Sequence, residues 1–212
     1  MKSYSMENNI IIRLENKEEW KQVENLTREA FWNKYHPGCS EHYILHKFRK
    51  RSDFVKELDY VVEKDGEVIA HIMYCNSKIQ CDNGDFVSVM TFGPVSVLPK
   101  YQGKGYGSKL IKFTMGKAKK LGCGALAITG DPKYYRKFGF VSGHSMNIYY
   151  DPFPRNEEIP FFMVKELQSG YLSGVIGTFK DPEGYIVENA EVEKFDTNFP
   201  IKEKKILPGQ LS

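Results

Sequence analysis

Residues Gln102-Gly103-Lys104-Gly105-Tyr106-Gly107-Ser108 have the composition and spacing to bind an anion through the main chain. They stand between an extended run and a helical pattern. Their glycines let successive N–H groups turn toward one point at a helix N-terminus, an arrangement that holds a phosphate. Gly107 falls one residue early for the dinucleotide pattern Gly-x-Gly-x-x-Gly, and no Gly-Lys-Ser/Thr follows at P-loop spacing. Both of those nucleotide folds are therefore disfavoured. A glycine-rich turn serving only a tight strand-to-helix passage has the same composition.

Three other groups of residues invite chemistry and argue against it. Cys123 lies between two glycines in a helix-ending turn with no histidine nearby in sequence, which favours a structural thiol over an acyl-cysteine. His36, Cys39, His42 and His46 straddle Pro37-Gly38, and their spacing fits no common zinc site, so no metal is expected. The run Lys47-Phe48-Arg49-Lys50-Arg51 reads as a solvated helix end, with Arg49, Lys50 and Arg51 on the surface.

These residues need a scaffold. Ile10-Ile11-Ile12-Arg13-Leu14 suits a strand, and Asn16 ahead of Lys17-Glu18-Glu19 suits a helix start. Trp20, Val23, Leu26, Thr27, Ala30 and Phe31 recur at helical steps until Pro37-Gly38. A second helix is expected over 41–51, then a hairpin of 58–63 and 67–74 around Asp65-Gly66. A long strand over 86–98 should bend at Gly93-Pro94. The spacing then predicts a helix over 107–121, a buried strand over 125–129, and a short helix capped by Asp131-Pro132 and closed by Gly139. Further strands are expected over 140–142, 159–167 and 184–187, and a polar tail from Lys194 onward that wraps the surface.

Val95-Ser96-Val97-Leu98-Pro99 leading into Gln102-x-x-Gly105-x-Gly107 resembles the acetyl-CoA signature of the GCN5-related N-acetyltransferase (GNAT) superfamily. Downstream, Tyr135-Arg136-Lys137-Phe138-Gly139-Phe140 resembles that superfamily's Tyr-x-x-x-Gly-Phe segment. The form Gly130-Asp131-Pro132-x-Tyr134-Tyr135 is similar to a largely uncharacterised bacterial branch of predicted acetyltransferases. The resemblance spans roughly residues 10–145.

The resemblance implies an α/β (α+β) fold, a mixed, twisted sheet flanked by helices, whose fourth and fifth strands (87–98 and 125–129) splay from Gly93-Pro94 onward. It implies acetyl-CoA as co-substrate. Main-chain groups of Val95, Ser96 and Val97 would hold the pantetheine arm. Amides of Gln102, Gly103, Lys104, Gly105, Tyr106, Gly107 and Ser108 would hold the pyrophosphate, with Lys100 and Lys104 near the phosphates. Tyr135 matches the tyrosine that commonly lies near the CoA sulfur. A phenol of pKa near 10 can protonate a departing thiolate, and Tyr134 is the alternative acid. A main-chain N–H around Val95 or Ser96 is expected to receive the oxyanion. The fourth strand lacks a glutamate for a general base, and Asp85 is an inferior candidate. Phe31, Trp32, Tyr35 and His42 are candidates for the acceptor pocket. The activity implied is direct acetyl transfer in a ternary complex to a small-molecule or peptide amine; the alternative is an idle acyl-CoA-binding sensor. A homodimer is compatible with either.

The 212 residues fit one acetyltransferase domain, with 151–212 as an extension packed on the motif-bearing part. Lys plus Arg number 30 against 27 Asp plus Glu, too small an excess to imply nucleic acid. No apolar run has the length of a leader or a membrane span, and the four cysteines form no framework, so a cytoplasmic protein is expected.

Overall fold

The computed structural model describes residues 10–210; the absence of a leader was read partly from 1–9, which lie outside the described residues. The chain runs β1 (Ile10–Leu14), α1 (Trp20–Phe31), α2 (Glu41–Phe48), β2 (Tyr60–Lys64), β3 (Glu67–Cys81), β4 (Phe86–Val97) and α3 (Tyr106–Lys120). It continues through β5 (Ala125–Thr129), α4 (Pro132–Tyr135), β6 (Val141–Ser142), β7 (Ile148–Tyr150), β8 (Phe162–Glu166), β9 (Gly177–Phe179) and α5 (Asn189–Asp196). Among the described residues, nine strands form one mixed sheet in the order β1-β2-β3-β4-β5-β8-β6, with β9 beside the far end of β3 and β7 beside β9. The β4–β5 pair is parallel and the rest of that path antiparallel.

Alternation along β3 distributes the core to both faces of the sheet. Ile72 and Tyr74 turn toward α3, where Leu110, Ile111, Met115 and Ala118 repeat at helical spacing. Met73 and Cys75 turn the other way, into Val23, Leu26, Leu45 and Phe48 of α1 and α2. α1 has 12 residues and α2 has 8, too short to hold alone in water, so burial of these stripes stabilises them. Each fully buried Leu or Phe contributes about 2 kcal/mol. No helix among the described residues is long and apolar enough to cross a membrane.

Several expectations are corrected here. α2 stops at Phe48, and Arg49 is 9% exposed rather than on the surface. Its guanidinium meets Glu15 at 2.5 Å and Glu24 at 2.9 Å, and these two hydrogen-bonded partners offset the cost of burying it whether or not Glu15 carries its proton. The expected strand at 184–187 is instead a single 3-10 turn, Glu183–Tyr185, while β7 and β9 had no expectation. β3 runs on to Cys81 where 67–74 was expected. The tail does cross the surface of α1: Glu203 O accepts from Trp32 Nε1 and Asn33 Nδ2, both at 3.0 Å.

Candidate active site

The glycine loop opens α3. Gly103 has φ +74° and Gly105 φ +86°, and a Cβ at either would meet nothing within 4 Å, so glycine serves conformation there. Gly105 O accepts the first helical bond, from Lys109 N at 3.0 Å. The first-turn amides of Tyr106, Gly107 and Ser108 precede that bond and have no intrahelical acceptor, which leaves donors at the positive end of the helix dipole. Gly107 is packed: a Cβ would lie 3.1 Å from the Tyr134 hydroxyl and 3.4 Å from Val97 Cγ2. The expected lysines are turned away. Lys100 Nζ pairs with Glu67 at 2.8 Å and Lys104 Nζ donates to Lys100 O at 2.9 Å. Lys137, over the Tyr134 ring at 3.9 Å, lines the cleft instead.

β4 and β5 pair at Met90 and Leu126 and then separate. The separation begins where β4 carries Gly93 and Pro94 opposite the single residue Met73, a β-bulge. Past the bulge, Leu98 N donates to Ile69 O at 2.9 Å. Antiparallel alternation then turns the main-chain groups of Ser96 toward β3 and those of Val95 and Val97 toward the gap. Gln102 Nε2 accordingly reaches Val97 O at 2.9 Å. Ser96 is corrected as a cleft residue: its hydroxyl, 0% exposed, donates to Thr27 Oγ1 at 3.0 Å on the far face.

The two tyrosines take different ends of the gap. Asp131 caps α4 by accepting from Lys133 N at 2.9 Å. Tyr134 then points its hydroxyl at the start of α3, 3.5 Å from Ser108 Oγ. Tyr135 lies over Gly130, where a Cβ would come within 2.5 Å of its ring, and faces Phe92 and Phe140 with centroids 5.9 Å apart. Burial among these rings pushes the Tyr135 phenol well above its ordinary range, so it stays protonated at neutral pH.

The cleft of about 820 Å³ continues from Tyr135 past Thr91 and Gly93 to Phe31, Tyr35, Glu41, Asp181 and Tyr185. Phe31 and Tyr35 stand where an acceptor pocket was expected, but Trp32 and His42 do not. Trp32 lies under the Arg28 guanidinium at 4.2 Å. His42 is fully buried, with Cys39 Sγ 3.4 Å from Nδ1, Asp196 3.1 Å from Nε2, and Phe195 and Phe199 against its ring. Asp85 sits in the exposed β3–β4 turn and bonds Asn83, so it is no base for this cleft. Cys123 is buried with Sγ donating to Ala125 O at 3.1 Å, and desolvation raises its thiol.

Glu41, Asp181 and Tyr185 carry no functional expectation from the sequence. Tyr185 is bound to Gly93 O at 2.9 Å, a contact between residues that share no motif.

A family model described as acetyltransferase (GNAT) domain matches residues 11–142. Over 101 residues the chain is 27% identical to an uncharacterized N-acetyltransferase, YjhQ, of Escherichia coli (strain K12). That match covers 48% of this chain and 55% of the relative, about half its length. Among solved structures, the GNAT-family N-acetyltransferase YhbS of Escherichia coli, in complex with CoA, superposes with TM-score 0.74 at 22% identity, covering 86% of this chain and 94% of that one. A GNAT-family acetyltransferase of Brucella melitensis, in complex with acetyl-CoA, gives TM-score 0.66 at 24% identity, with 84% and 99% covered. These likenesses bear on the fold. Tyr150, Asp181 and Tyr185 lie beyond the matched residues 11–142.

Proposed function

Because the chain belongs to the acetyltransferase (GNAT) domain family, we propose that it transfers an acetyl group from acetyl-CoA to an amine by direct attack in a ternary complex. The observation that carries this is continuity: the free first-turn amides of α3 open into the β4–β5 gap, which ends at the Tyr135 phenol. A phosphate at one end and a thioester at the other suit that shape. The 212 residues are taken as one domain, with the part after 151 completing the cleft.

Each residue has a role set by position. The Gln102 amide, expected among the pyrophosphate donors, is already given to Pro99 O at 3.2 Å; the amides of residues 103–108 hold the pyrophosphate, and the Val95 and Val97 main chain runs beside the pantetheine arm. Val95 N–H, just past the bulge and facing the gap, donates to the thioester oxygen as negative charge develops there. Tyr135 donates its proton to the departing sulfur; Tyr134, beside Ser108, is placed for the phosphate end.

The test is thiol release from acetyl-CoA over a panel of polyamines, aminoglycosides, amino acids and peptide N-termini, with thermal shift alongside. Acetylation of one class with saturable acetyl-CoA is expected. Tight CoA binding with no turnover on any amine would favour an acyl-CoA sensor, and failure to bind acetyl-CoA would sink the reading.

A further inference from the structure

The cleft is lined by two carboxylates from different elements, Glu41 and Asp181. Glu41 opens α2, where Ser40 N donates to its Oε2 at 3.0 Å and burial raises its proton affinity. Asp181 accepts a short hydrogen bond from the Tyr150 hydroxyl, and burial raises it likewise. Tyr185, four residues on, is tied to Gly93 O at the bulge, which fixes this segment beside the position proposed for the thioester. Lys34, which lies over the rings of Tyr35 and Phe31 at 5.2 and 5.4 Å, also stands near enough to Glu41 to lower its proton affinity, as does His36. Phe31, Tyr35 and Ile44 add apolar surface to the lining of the same cleft.

Resting on the acetyl-transfer reading, we infer that the acceptor is an aliphatic diamine or polyamine, with the attacking nitrogen at Asp181 and a second ammonium at Glu41. An amine reaches the cleft as an ammonium and cannot attack until it loses a proton. A half-buried carboxylate both attracts that cation and takes the proton. The ammonium gives one proton to Asp181. The neutral nitrogen then forms the N–C bond, the C–S bond breaks, and the sulfur takes the Tyr135 proton. The second nitrogen proton restores Tyr135, and Asp181 releases its proton to water. An acidic acceptor would meet both carboxylates and be repelled.

The experiment measures diaminobutane, butylamine and glutamate with the full chain saturated in CoA for binding by calorimetry, and in acetyl-CoA for turnover. Diaminobutane is expected to bind and react at least about tenfold better than butylamine, since the second ammonium adds a charge-assisted contact. Glu41→Gln should remove that preference, bringing diaminobutane down to the level of butylamine in the same variant. Asp181→Asn should lower kcat on both amines about a hundredfold and abolish the acid limb of the pH–rate profile, with CoA affinity intact. Equal handling of the two amines, a preference for glutamate, or an Asp181→Asn variant at the wild-type rate would overturn the inference. Diamine binding that depends on Glu41 without any acetyl transfer would instead support the ligand class and defeat the acetyl-transfer reading.

Discussion

The Tyr185 hydroxyl donates to the carbonyl of Gly93 at 2.9 Å, joining residues 92 positions apart. The bond fastens a segment beyond the family-matched region to the bulge that separates β4 from β5. The ring is seated on Phe48 with centroids 4.7 Å apart, and a Cβ at neighbouring Gly184 would collide with Phe48 at 2.4 Å. The segment therefore closes against α2 as well as against β4.

Tyr185→Phe keeps the ring packing and removes only the donor. About 1 kcal/mol of stability should go, together with about a tenfold loss in kcat/KM for the amine as the bulge loosens around Val95 N–H. CoA affinity, set at the other end of the cleft, should hold. Steady-state kinetics and calorimetry on one preparation decide it: unchanged kinetics would mean that the bulge keeps its shape unaided.

Tyr135→Phe separates a proton donor from a packing ring. The ring contacts with Phe92 and Phe140 survive, so folding and CoA binding should persist while kcat falls about a hundredfold. Burial holds the wild-type phenol protonated well past neutrality, so its ionisation produces no alkaline loss of rate between pH 7 and 9. If the variant matches wild type at saturating substrate across that range, Tyr135 is no acid.

Local rules made the glycine loop, the Asp131-Pro132 cap and the alternating strands legible, because each expresses a conformational demand within a few residues. What depended on partners far along the chain was not. Arg49 sits in a basic run that reads as solvated, yet its acids Glu24 and Glu15 stand 25 and 34 residues away. Ser96 lies within a correctly read strand, but its facing is set by the register with β3, a relationship its own neighbours do not encode. Asp181 and Tyr185 follow no periodic pattern, and only the packed fold brings them to the cleft.

Gly105 and Gly122 make a matched pair for testing the cradle. Their φ values are +86° and +89°, and a Cβ at either would have no atom within 4 Å. Alanine at either should cost about 1–2 kcal/mol through the left-handed backbone alone. Gly105 caps the N-terminus of α3, whereas Gly122 lies just past its C-terminal end. Gly105→Ala should thus weaken CoA binding about tenfold or more, while Gly122→Ala loses similar thermal stability and binds CoA normally. Equal CoA affinities in the two variants would remove the cradle from the site.

Glu15, Asp59 and His71 converge to within 4.8 Å of one another, with the Arg49 guanidinium facing Glu15 and Glu24. Burial, helped by the neighbouring Asp59, pushes the Glu15 carboxyl up to about 8, outweighing the pull of His71 and Arg49, and raises Asp59 in the same direction. Burial lowers His71 and His42 to about 4. The histidines bind fewer protons folded than unfolded, so their contribution to stability is full above pH 6.5 and lost as pH falls toward 4. Glu15 binds more protons folded than unfolded between pH 4.5 and 8, so its contribution declines as pH rises through that window. Glu15→Gln removes the second effect and keeps the shape of the side chain; it also removes the carboxylate that holds His71 up, whose window lies below pH 6.5. Its stability relative to wild type should therefore improve steadily from about pH 5 to about pH 8 and level off beyond, as read from urea midpoints at fixed ionic strength. A constant difference across that range would mean that Glu15 is ionised in the folded protein, held by Arg49 at 2.5 Å.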